Sequence, residues 1–155
     1  MSDRPFAVVL DASTVIAYCS REVGRYESAR RALHAAADAG SRFYAPGVLY
    51  AECLYVLCRK LADGQITVQE HALAVGALAT LATGIESPPG GDASLVRAAD
   101  AFQGQYGCSH TADTLYIALA AMLSRDCAVR LLTFDSGLER HGAACGDSGL
   151  VVLLT

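Results

Sequence analysis

The chain has 155 residues, enough for one domain with a full hydrophobic core, and we predict a single domain over 1–155. Hydrophobic residues make up 53% and charged residues 18%, and this low charged fraction predicts that apolar surface is buried against another chain. The net charge of −4 argues against a protein that binds nucleic acid through a broad basic surface. The apolar runs are too short for a membrane span or a signal peptide, which predicts a cytoplasmic location.

The stretch 6–14, which reads FAVVLDAST, combines an apolar run with a polar end. Residues 6–10 are unbroken in their apolar character and rich in β-branched side chains, which predicts a strand covered on both faces in a parallel sheet. Asp11 and Ser13 follow at the carboxyl end of this strand, where open α/β sheets bind ligands. Asp11 is therefore a candidate site residue, although an aspartate at this position can equally cap the next helix.

Strands and helices alternate along the rest of the chain. Further strands are predicted at 41–45, 84–87, 129–134 and 150–154, and helices at 21–39, 46–61, 68–82, 93–106, 112–124 and 136–141. Helix starts are predicted from a Thr67–Glu70 capping box and from Asp92 and Thr111 as caps. The alternation predicts an α/β domain with a mainly parallel central sheet of about five strands.

The helix predicted at 68–82 is apolar nearly all round. A helix of this kind is buried in a core or in an interface between chains. Together with the hydrophobic composition, it predicts a homodimer.

Six cysteines are present, and none belongs to a C-x-x-C pair. Zinc sites usually carry such pairs, so the pattern argues against a zinc site. Most of the cysteines lie inside apolar runs, which predicts that they act as small buried hydrophobic side chains.

Two acids on predicted helices are further candidates for the site. Glu52 lies in the middle of the apolar helix at 46–61, so its carboxylate is either exposed on a polar edge or directed at a partner or a metal. Asp113 lies in the first turn of its helix, where an acid also stabilises the helix dipole. The face that carries Asp113 continues through apolar residues, which indicates that it points toward the buried side.

Asp135 repeats the pattern of Asp11, because an apolar strand, an acid and a helix follow one another in LLTFDSGL. The two strand-end acids can converge with Glu52 and Asp113 over one edge of the sheet. Crowded carboxylates repel one another, and a hard divalent cation, Mg²⁺ or Mn²⁺, is the usual compensation. Such a site supports phosphodiester hydrolysis. The hydroxyls of Ser13 and Thr133 can bind a metal-bound water or a phosphate, or can make local turn contacts.

The sequence resembles the PIN-domain family, and within it the VapC-type toxins of bacterial toxin–antitoxin pairs. The matching segments are VVLDAST at 8–14, APGVLYAECLYVL at 45–57, TADTLYIALAAML at 111–123 and LLTFDSGL at 131–138. Each segment is degenerate alone, but the four occur in the order of the family and span nearly the whole chain.

The resemblance implies a three-layer α/β/α fold with a parallel sheet flanked by helices, and metal-dependent endoribonuclease activity on RNA. By resemblance the acidic quartet that holds Mg²⁺ consists of Asp11, Glu52, Asp113 and Asp135, and Ser13 matches the polar residue two positions after the first acid. A homodimer and a cognate antitoxin protein are also implied.

Other classes of protein place an acid after the first strand. A haloacid-dehalogenase phosphatase would have a second aspartate at the position of Ser13 and a catalytic lysine, and a response-regulator receiver would have a lysine near its last strands. The only lysine is Lys60, in the helix of Glu52, so both classes fit poorly. A non-catalytic PIN-like module that binds RNA or a protein stays open as the alternative.

Overall fold

A parallel sheet of five strands lies at the centre of the part of the chain that the structure describes. This structure, a computed structural model, describes residues 6–108, 112–144 and 149–155. The strands are β1 (Ala7–Leu10), β2 (Arg42–Tyr44), β3 (Ile85–Glu86), β4 (Val129–Thr133) and β5 (Val151–Leu153). Their order across the sheet is β3-β2-β1-β4-β5, and all neighbouring strands are parallel. The predicted α/β fold with a central parallel sheet flanked by helices is confirmed.

The central position of β1 explains its apolar sequence. All four of its residues are buried, and Val9 and Leu10 have no exposed surface. β2 and β3 lie on one side of β1, whereas β4 and β5 lie on the other. The strand order therefore reverses at the boundary between β1 and β4, which is the switch point of the sheet. In open α/β sheets this switch point opens a crevice at the carboxyl ends of the two strands.

Helices connect all of these strands. They are α1 (Ala12–Cys19), α2 (Tyr26–Asp38), α3 (Val48–Ala62), α4 (Val68–Ala82), α5 (Val96–Tyr106), α6 (Asp113–Leu123) and α7 (Ser136–Ala144). α6 packs on β1 and β4, α1 contacts α2, α3 and α4, and α7 packs on β5. None of the helices in the described residues is both long and apolar enough to cross a membrane.

The helix predicted at 21–39 begins later than expected, at Tyr26. Ser20 ends α1, where its hydroxyl donates to the carbonyl of Ile16 at 2.7 Å. Arg21 then adopts φ +50°, a conformation that interrupts a helix. Gly24, at φ +82°, is the local sequence signal for this turn. The turn places Arg25 at the N-terminus of α2.

Contrary to the prediction, Asp92 does not cap the helix that follows it. A short 3₁₀ turn (Asp92–Leu95) precedes α5, and no side-chain capping bond is made there. Instead the Asp92 carboxylate accepts hydrogen bonds from the backbone N–H of Gly47, at 3.0 and 3.1 Å, directly before α3. A Cβ at Gly47 would lie 2.6 Å from Asp92 Oδ2, so a larger residue at position 47 would have to displace this carboxylate. The other predicted cap, Thr111, lies outside the described residues.

The capping box of α4 is confirmed, but the helix is not a core helix. Thr67 and Glu70 exchange the two hydrogen bonds of the box. Within α4 only Ala74 and Leu78 are buried, whereas Leu73 is 67% exposed. Burial of α4 in the core is therefore wrong, and burial in an interface between chains stays a prediction.

The cysteines divide into two groups. Cys19 and Cys53 are buried as predicted, at 6% and 1% exposure. Cys58 lies in an apolar run but is exposed, so the prediction is wrong for this residue, and Cys108, which lies outside such a run, is also exposed. Cys127 is partly buried, and Cys145 lies outside the described residues.

Candidate active site

Asp11 lies at the carboxyl end of β1 and is the most buried acid of the candidate site, at 5% exposure. Its Oδ1 accepts hydrogen bonds from the backbone N–H of Thr14 at 3.1 Å and from the hydroxyl of Ser13 at 2.8 Å. Its Oδ2 accepts a hydrogen bond from the hydroxyl of Thr133 at 2.7 Å. Asp11 is therefore both the N-cap of α1 and the centre of a polar cluster, so the two interpretations of the sequence hold together.

Hydroxyl groups join the end of β1 to the end of β4. Ser13 accepts a hydrogen bond from the backbone N–H of Phe134 at 2.9 Å, and Thr133 accepts one from the N–H of Asp135, also at 2.9 Å. The buried hydroxyl of Thr14 donates to the carbonyl of Leu132 at 2.8 Å. These bonds fix the two strand ends relative to each other at the switch point, and they show that Ser13 and Thr133 do more than make local turns.

Burial and hydrogen bonding shift the pKa of Asp11 in opposite directions. Loss of solvent raises the pKa of its carboxyl, because a charged group is less stable away from water. Hydrogen bonds from Thr133, Thr14 and Ser13 stabilise the ionised form and partly lower the pKa again. The net effect is a raised pKa, so the isolated protein gains stability when a cation or a proton compensates this charge.

Glu52 projects from α3 and has a specific partner on α6. The hydroxyl of Tyr116 donates to Glu52 Oε2 at 2.6 Å. Burial, this hydrogen bond and the negative charges of Glu52 and Asp11 raise the pKa of the Tyr116 phenol, which keeps it a neutral donor. Both acids therefore lie near enough to Tyr116 for their charges to act on its phenol.

Asp113 and Asp135 lie on the α7 side of the crevice. Asp113 is the first residue of α6, and its Oδ2 lies 3.2 Å from Nδ1 of His141 on α7. Asp135 is exposed, and its Oδ1 accepts from the N–H of Gly137 at 2.7 Å, so it caps α7. A Cβ at Gly137 would lie 2.9 Å from that oxygen, so a larger residue at this position would displace the Asp135 carboxylate.

The four acids are placed on different elements around the switch point. Asp11 and Asp135 follow adjacent strands, Glu52 is linked to α6 through Tyr116, and Asp113 begins α6. Among the described residues, no group of three or more histidine, cysteine, aspartate or glutamate side chains lies close enough together to hold a metal ion. The structure therefore does not gather the four carboxylates into one cluster.

The chemistry of the donors nevertheless fits a hard divalent cation. Carboxylate and hydroxyl oxygens are the groups that Mg²⁺ and Mn²⁺ prefer. Burial, with smaller effects from neighbouring negative groups, raises the pKa of the Cys53 thiol to about 12. Without a metal ion, this thiol therefore stays protonated at neutral pH.

Comparison with known protein families identifies the domain. A family model described as the PIN domain matches residues 8–144. The chain belongs to the PIN-domain family. PIN domains are nuclease-type domains that typically use divalent metal ions. No curated protein matches the sequence significantly.

The sequence left several parts of this PIN-domain site unrecognised. The apolar spacing of its helix indicates only that Tyr116 is buried, and His141 is only the last residue of the helix predicted at 136–141. Arg25 is a third case, since its guanidinium lies 5.3 Å from the centre of the Phe134 ring, next to Asp135. The only available signal was the position of Tyr116 one turn after Asp113, because the other contacts join distant parts of the chain.

Proposed function

We propose that the protein is a metal-dependent endoribonuclease that hydrolyses phosphodiester bonds of RNA. One observation carries this proposal: Asp11 and Asp135 follow the adjacent strands β1 and β4, at the switch point where α/β sheets bind ligands. Membership of a nuclease-type family supports the same chemistry. The proposed cation is Mg²⁺, with Mn²⁺ as a possible substitute, and Asp11, Glu52, Asp113 and Asp135 are its proposed ligands.

The protein residues have distinct tasks in this proposal. Ser13, Thr14 and Thr133 stabilise the ionised carboxylate of Asp11 and keep it in one orientation. Glu52 and Asp113 contribute carboxylate oxygens as further ligands of the cation. One of them can instead accept a proton from the attacking water. When bound, a divalent cation supplies Lewis-acid activation of water and offsets the negative charge of the phosphate. Without that charge, the carboxylates would repel the RNA backbone.

RNA binding requires positive groups near this acidic site. Arg42, Arg59 and Arg97 lie near the ends of helices or strands, which makes them the first candidates. Arg42 lies at the amino end of β2, opposite the edge of Asp11, and pairs with Glu86, while Arg59 pairs with Asp63. Position reduces the case for both, because Arg42 lies at the far end of its strand and Arg59 lies in the last turn of α3.

We propose Arg25 as a backbone-phosphate contact instead. Its guanidinium stacks on Phe134, whose N–H binds Ser13, so it lies beside the polar cluster of Asp11. Its pairing with Glu22 on an exposed surface is weak enough to be exchanged for a phosphate contact.

The biological setting is also proposed from the resemblance to VapC-type toxins. The protein would act as the toxin of a type II toxin–antitoxin pair, as a homodimer, with a separate antitoxin chain as its partner. Exposed apolar side chains on α3 and α4 support an interface between chains, since Tyr55 and Leu73 are each 67% exposed.

Cleavage of a panel of structured RNAs tests the proposed activity. The wild type should cleave with Mg²⁺ or Mn²⁺ and stop when EDTA is added, and Asp11→Asn should be inactive but folded. An RNA that is bound and left intact by the metal-loaded wild type would favour the non-catalytic module. Cleavage that survives both EDTA and Asp11→Asn would refute the assigned site.

A further inference from the structure

Tyr116 links two helices of the candidate site. Its side chain is 2% exposed and lies on α6, three residues after Asp113, so the two side chains share one face of the helix. Its hydroxyl reaches across to Glu52 Oε2 on α3. The 2.6 Å between the two oxygens lies in the range of charge-assisted O–H···O bonds, about 2.5–2.7 Å. A bond of this kind depends on the negative charge of Glu52.

The hydrogen bond from Tyr116 engages only one of the two carboxylate oxygens of Glu52. A glutamate side chain loses much rotamer freedom when it is fixed by a ligand. Because Tyr116 already restrains the carboxylate through Oε2, less of this freedom remains to be lost when Oε1 binds a cation. Tyr116 and Asp113 lie on one face of α6, so this bond joins Glu52 to the helix face that carries Asp113.

We propose that Tyr116 is a positioning residue that orients Glu52 for binding a divalent cation. The proposal rests on the metal-dependent function proposed above and assigns a new residue to the same site. Tyr116 acts through Glu52 and contacts neither substrate nor cation. Residues that hold a ligating side chain in this way typically contribute about 10–100-fold to metal affinity.

Tyr116→Phe tests the role directly, because it removes the hydroxyl and keeps the ring. Metal affinity is measured without RNA, by calorimetric titration with Mn²⁺ alone and by the rise in melting temperature with Mn²⁺. We expect affinity about 10–100-fold weaker than in the wild type. The matched control is Tyr50→Phe, which removes a hydroxyl from a half-buried tyrosine on α3 and should leave metal affinity unchanged. Equal affinity in Tyr116→Phe and the wild type would overturn the proposal.

A double-mutant cycle separates positioning from general loss of stability. Glu52→Gln removes the charge that Tyr116 holds, so Tyr116→Phe should weaken metal binding no further in that background. A merely structural tyrosine would weaken binding equally in both backgrounds, and that result would contradict the proposal. If Tyr116→Phe does not fold, Glu52→Asp serves instead, since it keeps the charge but withdraws the carboxylate from the phenol. It should show the same loss of affinity, and unchanged affinity would overturn the role.

RNA cleavage measured in parallel distinguishes this proposal from the proposed function. Weaker metal binding in Tyr116→Phe, with no cleavage of RNA by the wild type, would support positioning and refute the ribonuclease. Metal-dependent cleavage with unchanged metal affinity in Tyr116→Phe would support the ribonuclease and refute positioning. A wild type that binds no divalent cation would refute both.

Discussion

Thr133 donates its hydroxyl to the carboxylate of Asp11 at 2.7 Å, although 122 residues separate the two in the chain. The same hydroxyl accepts a hydrogen bond from the backbone N–H of Asp135. One buried side chain therefore connects the acid after β1 to the acid after β4. The relative position of these two carboxylates depends on Thr133 as well as on the pairing of the strands.

Thr133→Val should destabilise the protein. The substitution keeps the shape of the side chain and removes a donor to a buried charge, which should lower the free energy of unfolding by about 1–3 kcal/mol. Denaturant unfolding in EDTA measures this loss. Thr80→Val is the control, because its hydroxyl bonds to the carbonyl of Gly76 on an exposed surface, and it should stay within about 0.5 kcal/mol of the wild type. Equal effects of the two substitutions would show that the Asp11 contact carries no special stability.

Asp11→Asn should stabilise the metal-free protein at neutral pH. Because the folded-state pKa of Asp11 is raised above 3.8, its contribution to stability is present below that value and is lost as the pH rises through the raised pKa. Each unit of that rise corresponds to about 1.4 kcal/mol. Melting temperatures in EDTA should therefore favour Asp11→Asn at pH 7, and the difference should shrink as the pH falls toward 3.8. A mutant that melts below the wild type at pH 7 would indicate that Asp11 is mainly a structural cap.

Arg25→Ala should weaken RNA binding and its dependence on salt. Loss of one phosphate contact lowers the slope of log affinity against log salt by about 1. Fluorescence anisotropy with a labelled RNA measures the slope, and the Asp11→Asn background prevents cleavage. Arg59→Ala is the control, since Arg59 is equally an exposed, ion-paired arginine but lies in the last turn of α3. If Arg59→Ala reduced the slope and Arg25→Ala did not, the assignment of the contact would be wrong.

The protein should be a homodimer at micromolar concentration. Light scattering should give twice the mass of the chain, and Leu73→Asp should shift the mass toward the monomer by placing a charge in the proposed interface. Val23→Asp is the control for non-specific effects of an added charge. Val23 is 98% exposed in the turn before α2, so this substitution should leave the mass unchanged. If the wild type had the mass of a monomer at every concentration measured, the prediction would be wrong.

Sequence patterns predicted the parts of this fold that depend on neighbouring residues. The buried strand at β1, the Thr67–Glu70 capping box and the acids at the ends of β1 and β4 follow from composition over a few positions. The Asp92 contact with Gly47 did not follow, because 45 residues separate the two. An aspartate before a helix has the same local sequence whether it caps that helix or a distant one.

The candidate site was predictable only in part for the same reason. The four acids stood out as charges within apolar segments, but their partners did not. Tyr116 lies 64 residues from Glu52 and His141 lies 28 residues from Asp113, so only the folded chain brings them together. Apolar spacing on α6 indicates that Tyr116 is buried, yet it does not indicate which acid receives its hydroxyl.

The central position of β1 also determines when the site can form during folding. Parallel strands are joined by long crossovers, so contacts between strands distant in the chain form slowly. β1 is made first, but one of its edges stays unpaired until β4, which begins at residue 129, has been synthesised. A shorter nascent chain contains Asp11, Glu52 and Asp113 and still lacks Thr133. The polar cluster around Asp11 is therefore completed late in synthesis, and until then the open edge of β1 can pair with other chains.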